Sequence, residues 1–398
     1  MDEKLKIAII RGRNLNKWEM QNYEKIKFEF NITCFTSVFN RFNINGLSFP
    51  VKKSFCFDEI FDYIPGYQRF VRNDILNKKF KNLLIKYTCS DYLFNLENNL
   101  KNFDIVHTAE IYNAYTIQAV EAKKKGIIKK LIVTVWENIP YYEHLLKYDL
   151  DIVQINKNVD KFLVVSSRAA FALQIKGIES KKIEILKPGV NLNKFFPYKN
   201  KADVRKKLKF HDNSFVILSI ARYDWGKGLQ DLICAIALLA SKKPSMRKII
   251  KVILIGQGKL YSFLKKITYK FSVQDVIQFI NHIPYEETTD WYNLADLFVL
   301  PSTIERGWQE QYGMVLVEAQ ACGLPVISTM TGSISEVLPE EAPKFPPSDF
   351  HSLAQLIEDL VMNPKKLSLI SKACYKNALE QYDSIDFDKK IKTIYNNI

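Results

Sequence analysis

The chain has 398 residues, of which 47% are hydrophobic, 25% charged and 13% aromatic, the profile of a globular protein and one that excludes a disordered or fibrous chain. Fourteen glycines and 14 prolines are too few for a collagen-like or low-complexity architecture, and at about 150 residues per domain the length predicts two domains. Lys and Arg number 57 against 43 Asp and Glu, a net charge of +14; such a field suits nucleic acid, an anionic membrane surface or an acidic substrate and does not choose among them.

The opening MDEKLKIAII leads into a strand with no cleavage-site pattern, and no apolar run reaches the ~18–20 residues that span a bilayer, so a cytoplasmic protein is expected. The positive surplus falls mostly on residues 1–200. Cys34, Cys56, Cys89, Cys234, Cys322 and Cys374 never approach CxxC spacing and lie in apolar stretches, as reduced thiols do; neither zinc nor a disulfide framework is expected.

In chain order, the short β-branched runs KIAII, DIVH, LIVTVW, FLVV and IEIL read as strands of a parallel sheet buried on both faces, with helical crossovers between them. Before DIVH, the stretch PGYQRFVRNDILNKKFKNLLIKY interleaves Tyr67, Arg69, Phe70, Arg72, Lys78, Lys79, Phe80, Lys81 and Lys86. It reads as a solvated face or as a surface for anionic lipid head groups. Pro188-Gly189 and Pro197 interrupt the pattern between Lys187 and Asn200, and the alternation then restarts with FVILSI, a helix from GLQDLICAIALLA, VILIG, VIQFI, a helix around DWYNLA, DLFVL, a helix around VLVEAQA, and PVIST. The expected fold class is α/β, with two doubly wound Rossmann-like domains whose strand carboxyl ends face a cleft. The last stretch, IDFDKKIKTIYNNI, is an amphipathic helix.

Two clusters carry chemistry. FVILSI is followed by ARYDWGKG, which puts Arg222 and Lys227 in one loop at a strand's carboxyl end beside a helix amino terminus. Arg offers two parallel hydrogen bonds and Lys a point charge, so the loop is a receptor for a diphosphate; the plain alternative is two solvated charges. In PSTIERGWQEQYGMVLVEAQACGLPVIS, Glu310 and Glu318 lie eight apart, and on one helix they would diverge by ~80°. A helix beginning at Gly313 instead leaves Glu310 in the preceding loop and turns the amides of Gly313, Met314 and Val315 toward a ligand. There the alternative is a capping acid and a solvated helical acid.

Taken together, the carboxyl half resembles the nucleotide-sugar-binding domain of glycosyltransferase family 4, a retaining family of GT-B fold. The resemblance rests on PGVNLNKFFP, ARYDWGKGLQDLICAIALL, VILIGQGKL, the Glu-x7-Glu segment EQYGMVLVE, AQACGLPVIS and TGSISEVL, and covers about residues 185–340. It implies transfer of a sugar, with retention at the anomeric carbon, from a nucleoside-diphosphate-sugar to a glycan or lipid-linked acceptor, in cell-surface polysaccharide or glycolipid synthesis. It further implies that Arg222 and Lys227 bind the diphosphate, Glu310 the donor sugar's hydroxyls and Glu318 the ribose, with the amides at Gly313, Met314 and Val315 on phosphate. Residues 1–190 would form the acceptor-binding domain, joined by a helix at about 378–398 that crosses back to it, and 191–377 the donor-binding domain.

The amino-terminal half departs from the family pattern. Where members carry a Gly-Gly turn after the first strand, RGRNLNKWE offers only Gly12 as a donor-binding glycine, and Trp136-Glu137 stands where many members place a histidine. His107, closing DIVH, is the candidate catalytic residue lining the acceptor side, followed by Glu110 and Glu137; the plain alternative is a buried histidine satisfied by backbone. Asp149-Leu150-Asp151 and Asp386-Phe387-Asp388 imitate a metal motif without a convincing context, and IGQGKL lacks a complete GxGxxG. No metal and no cofactor beyond the nucleotide sugar is expected. Nor is nucleic acid, since no helix-turn-helix, zinc or RNA-recognition signature is present. A peripheral position on the inner face of the membrane fits the positive field. The rival reading is a non-catalytic sugar-nucleotide or polysaccharide-binding protein of the same fold.

Overall fold

The computed structural model describes residues 4–56, 61, 64, 66–71, 76–88, 91–142, 150–210, 214–305 and 307–398; Arg72, Cys89 and Asp149 lie outside the described residues. The chain divides into two compact units, Met1–Pro188 with Ser384–Ile398, and Gly189–Asp383.

The first unit is built on strands β1 (Lys6–Ile10), β2 (Asn31–Ser37), β3 (Val51–Ser54), β4 (Ile105–Ala109), β5 (Lys130–Val135), β6 (Lys161–Val164) and β7 (Ile183–Ile185). They form one parallel sheet in the order β3-β2-β1-β4-β5-β6-β7. The second unit uses β8 (Phe215–Ile220), β9 (Ile250–Ile255), β10 (Ile277–Ile280), β11 (Leu297–Leu300), β12 (Val326–Thr329) and β13 (Lys344–Phe345), also all parallel, in the order β10-β9-β8-β11-β12-β13. In each sheet the strand order reverses once, at β1 between β2 and β4 and at β8 between β9 and β11. Neighbouring crossovers leave opposite faces at such a point, so the loops at the strand carboxyl ends part and leave room for a ligand.

Strands β2, β3 and β13 are absent from the reading of the sequence, for physical reasons. In β2 the run is broken by Asn31, Thr33, Thr36 and Ser37, yet Thr36 is buried and its hydroxyl donates to the Gly12 carbonyl at 2.8 Å. The other two are edge strands, and edges carry lysines such as Lys52, Lys53 and Lys344 to discourage further pairing.

The returning segment also differs from expectation. Residues 378–381 close the helix Pro364–Gln381 of the second unit, and a separate helix, Ser384–Asn397, belongs to the first. The break is at Tyr382, with φ −133°. Its hydroxyl donates to the carbonyls of Glu336 at 3.1 Å and Val337 at 3.2 Å, and its own carbonyl accepts from the Val190 amide at 2.8 Å. The Val190–Asp383 bridge also explains why the second unit begins at Gly189. Beyond the break, Phe387, Ile391, Ile394 and Tyr395 enter the core formed by Ile7, Ile9, Met20, Tyr23 and Phe30, which makes this helix part of the first unit's fold. Ile391 is fully buried there, so Ile391→Ala is expected to cost about 2–5 kcal/mol, read as a lowered urea midpoint of the full chain at an unchanged slope.

None of the five described cysteines is bridged, and among the described residues no helix is long and apolar enough to cross a membrane.

Candidate active site

The loop after β8 is folded by its own backbone. The Tyr223 amide donates to the Gln257 carbonyl at 2.9 Å, and a 3-10 turn over Trp225–Lys227 hands the chain to Gly228. Gly228 takes φ +64° as the amino cap of the helix Leu229–Lys242, and a Cβ there would run into the Pro301 carbonyl, so only glycine fits. This places Lys227 beside the loop that follows β11. Its Nζ donates to Glu310 Oε2 at 2.6 Å, and the same oxygen accepts from the Ser302 hydroxyl at 2.8 Å. The Trp308 ring lies on the other side of the ammonium, 4.6 Å from Nζ to the centroid. Side-chain exposures of 14% for Lys227 and 7% for Glu310 make this a largely buried ion pair.

Gly313, at φ +86°, is the amino cap of the helix Met314–Ala321 and has no side chain with which to close it. Glu310 therefore stands in the loop ahead of the helix, and Gly313, Met314 and Val315 form its first turn, where amides point out of the helix with positive partial charge. Lys227, Glu310 and this helix terminus come together. Arg222 does not join them: its side chain is 71% exposed and pairs with Asp224 at 3.3 Å. It lines a neighbouring hollow of about 550 Å³ with Trp225, Gln257, Lys259 and Glu305.

Glu318 sits inside the same helix in a different environment. Oε1 accepts from the Tyr285 hydroxyl at 3.0 Å and Oε2 from that of Tyr292 at 2.7 Å. Burial pushes its carboxyl up to about 7, against the two tyrosine hydroxyls and Lys194, which favour the ionised form. Lys194 in turn donates to the Tyr285 carbonyl at 2.9 Å and lies 3.4 Å from the centre of its ring.

In the first unit, Gly12 takes φ +52° in the turn after β1, packed against Tyr115 and Asp91. Before it, the buried Arg11 pairs with Glu19 at 2.7 Å. His107 must be corrected: it is fully buried, its Nδ1 hydrogen-bonded to the Tyr395 hydroxyl and its Nε2 to the Thr134 hydroxyl, both at 2.7 Å. With both ring nitrogens engaged inside the core and burial holding its pKa well below the ordinary value, it is a neutral structural residue. Glu110, at φ +60° after β4, accepts from the amides of Trp136 at 2.8 Å and Glu137 at 3.2 Å. Burial, and then the Glu137 charge, push its carboxyl up to about 8.

The decoy acids have ordinary work. Asp151 caps the helix Ile152–Asn158 through the Gln154 amide at 3.0 Å, and Asp386 pairs with Lys389 at 2.9 Å. In the aromatic–basic stretch, Phe70 and Phe80 are more than half exposed, whereas Lys81 is buried; Arg72 and the side chains of Arg69 and Lys86 lie outside the described residues. The residues that the sequence reading missed are Ser302, Trp308, Tyr285 and Tyr292. Ser302 and Trp308 stand within the quoted motif, but Ser302 meets Glu310 eight residues on and Trp308 meets Lys227, some 80 residues earlier. The tyrosines precede Glu318 by 33 and 26 residues with no local pattern.

A parallel sheet whose switch point carries an ion pair and a helix terminus offers a ligand-binding place at its strand carboxyl ends. Residues 200–377 match the family model described as Glycosyl transferases group 1, so the second unit carries a glycosyl transferases group 1 domain. The D-inositol 3-phosphate glycosyltransferase of Streptosporangium roseum is 30% identical over 167 residues, 41% of this chain and 37% of that protein. The chain thus spans well under half of that relative's length. Over 99% of its residues it superposes on all of Anabaena Alr3699/HepE, solved in complex with UDP and glucose, with TM-score 0.76 at 16% identity. It also superposes over 98% of its length on all of WaaG, a glycosyltransferase involved in lipopolysaccharide biosynthesis, with TM-score 0.69 at 14% identity. These likenesses establish the GT-B fold, with its two Rossmann-like domains.

A raised carboxyl ties stability to pH. Glu318 moves from an ordinary value of 4.5 to about 7 on folding, so between those values the folded chain binds more protons than the unfolded one, and stability falls as pH rises. Glu318→Gln has no proton to lose and should narrow the difference in Tm between pH 5 and pH 8. Equal differences in the two proteins would show that Glu318 is ionised at neutral pH when folded.

Proposed function

We propose that this protein is a retaining glycosyltransferase of family 4 that moves a sugar from a nucleoside-diphosphate-sugar to a glycan or lipid-linked acceptor. The observation that carries the reading is the Lys227–Glu310 pair, 2.6 Å apart, ahead of the glycine-capped helix terminus at Gly313 in a glycosyl transferases group 1 domain. Support for the donor class comes from the fold neighbour solved with UDP and glucose.

The main cost of the reaction is negative charge left on the diphosphate as the sugar departs. Lys227, Arg222 and the amides of Gly313, Met314 and Val315 are the groups that stabilise it, each charge-assisted bond contributing about 1.5–3 kcal/mol. Arg222, exposed and flexible, closes onto the diphosphate as it arrives. When Lys227 turns to phosphate, Glu310 is released to accept hydrogen bonds from the sugar's hydroxyls. Each Glu318 oxygen keeps a second lone pair beside its tyrosine, enough to take a ribose hydroxyl. The acceptor oxygen bonds to the anomeric carbon on the face the phosphate leaves; the carbon–oxygen bond to phosphate breaks, and the departing phosphate oxygen takes the acceptor's proton. No enzyme nucleophile and no divalent ion take part.

The first unit supplies the acceptor side. An acceptor on a cytoplasmic membrane face suits the net charge of +14 and the exposed Phe70 and Phe80, and a role in polysaccharide or glycolipid synthesis agrees with the lipopolysaccharide enzyme among the fold neighbours.

Lys227→Ala should lower turnover at least about a hundredfold, equivalent to roughly 2.7 kcal/mol, with the circular dichroism spectrum unchanged. Normal turnover in that variant removes the diphosphate assignment. Turnover of the unaltered protein should survive EDTA; a loss restored by magnesium or manganese would place an essential ion in the reaction.

A further inference from the structure

Lys227 faces two partners of different kinds. In the proposed reaction its ion pair with Glu310 has to open, because the carboxylate is needed by the sugar and the ammonium by the diphosphate. A lysine released from its ion partner is a flexible four-carbon chain with a strongly hydrated head, and it would swing toward water. The Trp308 ring, 4.6 Å from Nζ, is the contact that survives that exchange. A ring attracts the ammonium through its face and leaves the remaining N–H donors free for oxygen.

The ring is held by the loop that carries the lysine. Gly226, next to Lys227, lies directly beneath it: a Cβ on Gly226 would sit 2.5 Å from a carbon of the indole. The Gly226 amide donates to Glu305 Oε2 at 3.1 Å, and the Gly226 carbonyl accepts from the Thr303 amide at 2.9 Å. Glu305 and Trp308 exchange backbone hydrogen bonds, 3.0 Å from the Glu305 amide and 2.7 Å from the Trp308 amide. Thr303, Glu305 and Trp308 are therefore stitched to the lysine loop by contacts that do not involve Glu310.

We infer that Trp308 is a positioning residue for the donor diphosphate, holding the Lys227 ammonium in the site while Glu310 passes to the sugar. The inference rests on the reading of Lys227 given above.

The test is calorimetric titration of the full chain with UDP, GDP and ADP, carried forward with whichever binds most tightly. Trp308→Leu should raise the dissociation constant about tenfold, the size of a partly desolvated cation–π contact, whereas Trp308→Phe, which keeps a ring, should stay within about threefold. In a Lys227→Met background the Trp308→Leu change should have no further effect. Thermal melts identify any variant that is merely unfolded, and Trp308→Met, which also removes the ring, then stands in for the leucine variant with the same tenfold loss expected. An unchanged dissociation constant in Trp308→Leu, or an equal penalty with and without Lys227, overturns the inference and leaves the diphosphate reading standing. If Lys227→Met binds as well as the unaltered chain, or if none of the three nucleotides binds, both fall.

Discussion

A lysine and a glutamate held 2.6 Å apart with little exposure are the interaction on which the second unit's site turns. Taking both charges out of water is expensive, and the pair repays that only with good geometry and further hydrogen bonds. Here the Ser302 hydroxyl donates a further hydrogen bond to Glu310, and the Trp308 ring adds a cation–π contact to Lys227. Because Lys227 follows β8 and Glu310 follows β11, the pair also ties together the two loops that the strand order pulls apart. Gly228, at positive φ against the Pro301 carbonyl, is what lets those loops approach closely enough.

The two carboxylates of one motif have opposite settings. Glu310 stands ahead of the helix Met314–Ala321 beside a cation, and Glu318 stands within it between two tyrosine hydroxyls. One stands 2.6 Å from an ammonium. The other is driven toward the neutral acid by burial, so two carboxylates eight residues apart meet different environments. In the first unit the polar residues near the sheet's switch point are committed to structure instead: Arg11 to Glu19, and His107 to Thr134 and Tyr395.

What could be read from the sequence follows from how local each signal is. Contiguous β-branched runs such as KIAII and FVILSI announce buried parallel strands, and Gly313 announces the start of its helix, because the pattern and its cause lie within a few residues. NITCFTS did not read as a strand because its buried Thr36 and Ser37 look polar until the Gly12 carbonyl is seen to satisfy Thr36. His107 looked like a strand-end functional residue because its partners are 27 and 288 residues away. Arg222 and Lys227 looked like a pair from their spacing, yet the 3-10 turn at Trp225–Lys227 sends one toward Asp224 and the other toward Glu310. Trp308 was in plain view two residues before Glu310, and its role depends on the bare backbone of Gly226 in a distant loop.

Recognition of a diphosphate at this site is tested most directly by thermal stabilisation of the full chain by matched nucleosides, nucleoside monophosphates, nucleoside diphosphates and nucleoside-diphosphate-sugars. A ligand bound only by the folded chain and present at a hundred times its dissociation constant adds about 2.7 kcal/mol of stability. For at least one base the diphosphate and its sugar conjugates should raise Tm while the nucleoside and monophosphate do not. Monophosphate stabilising as well as diphosphate, or no nucleotide stabilising at all, would contradict it.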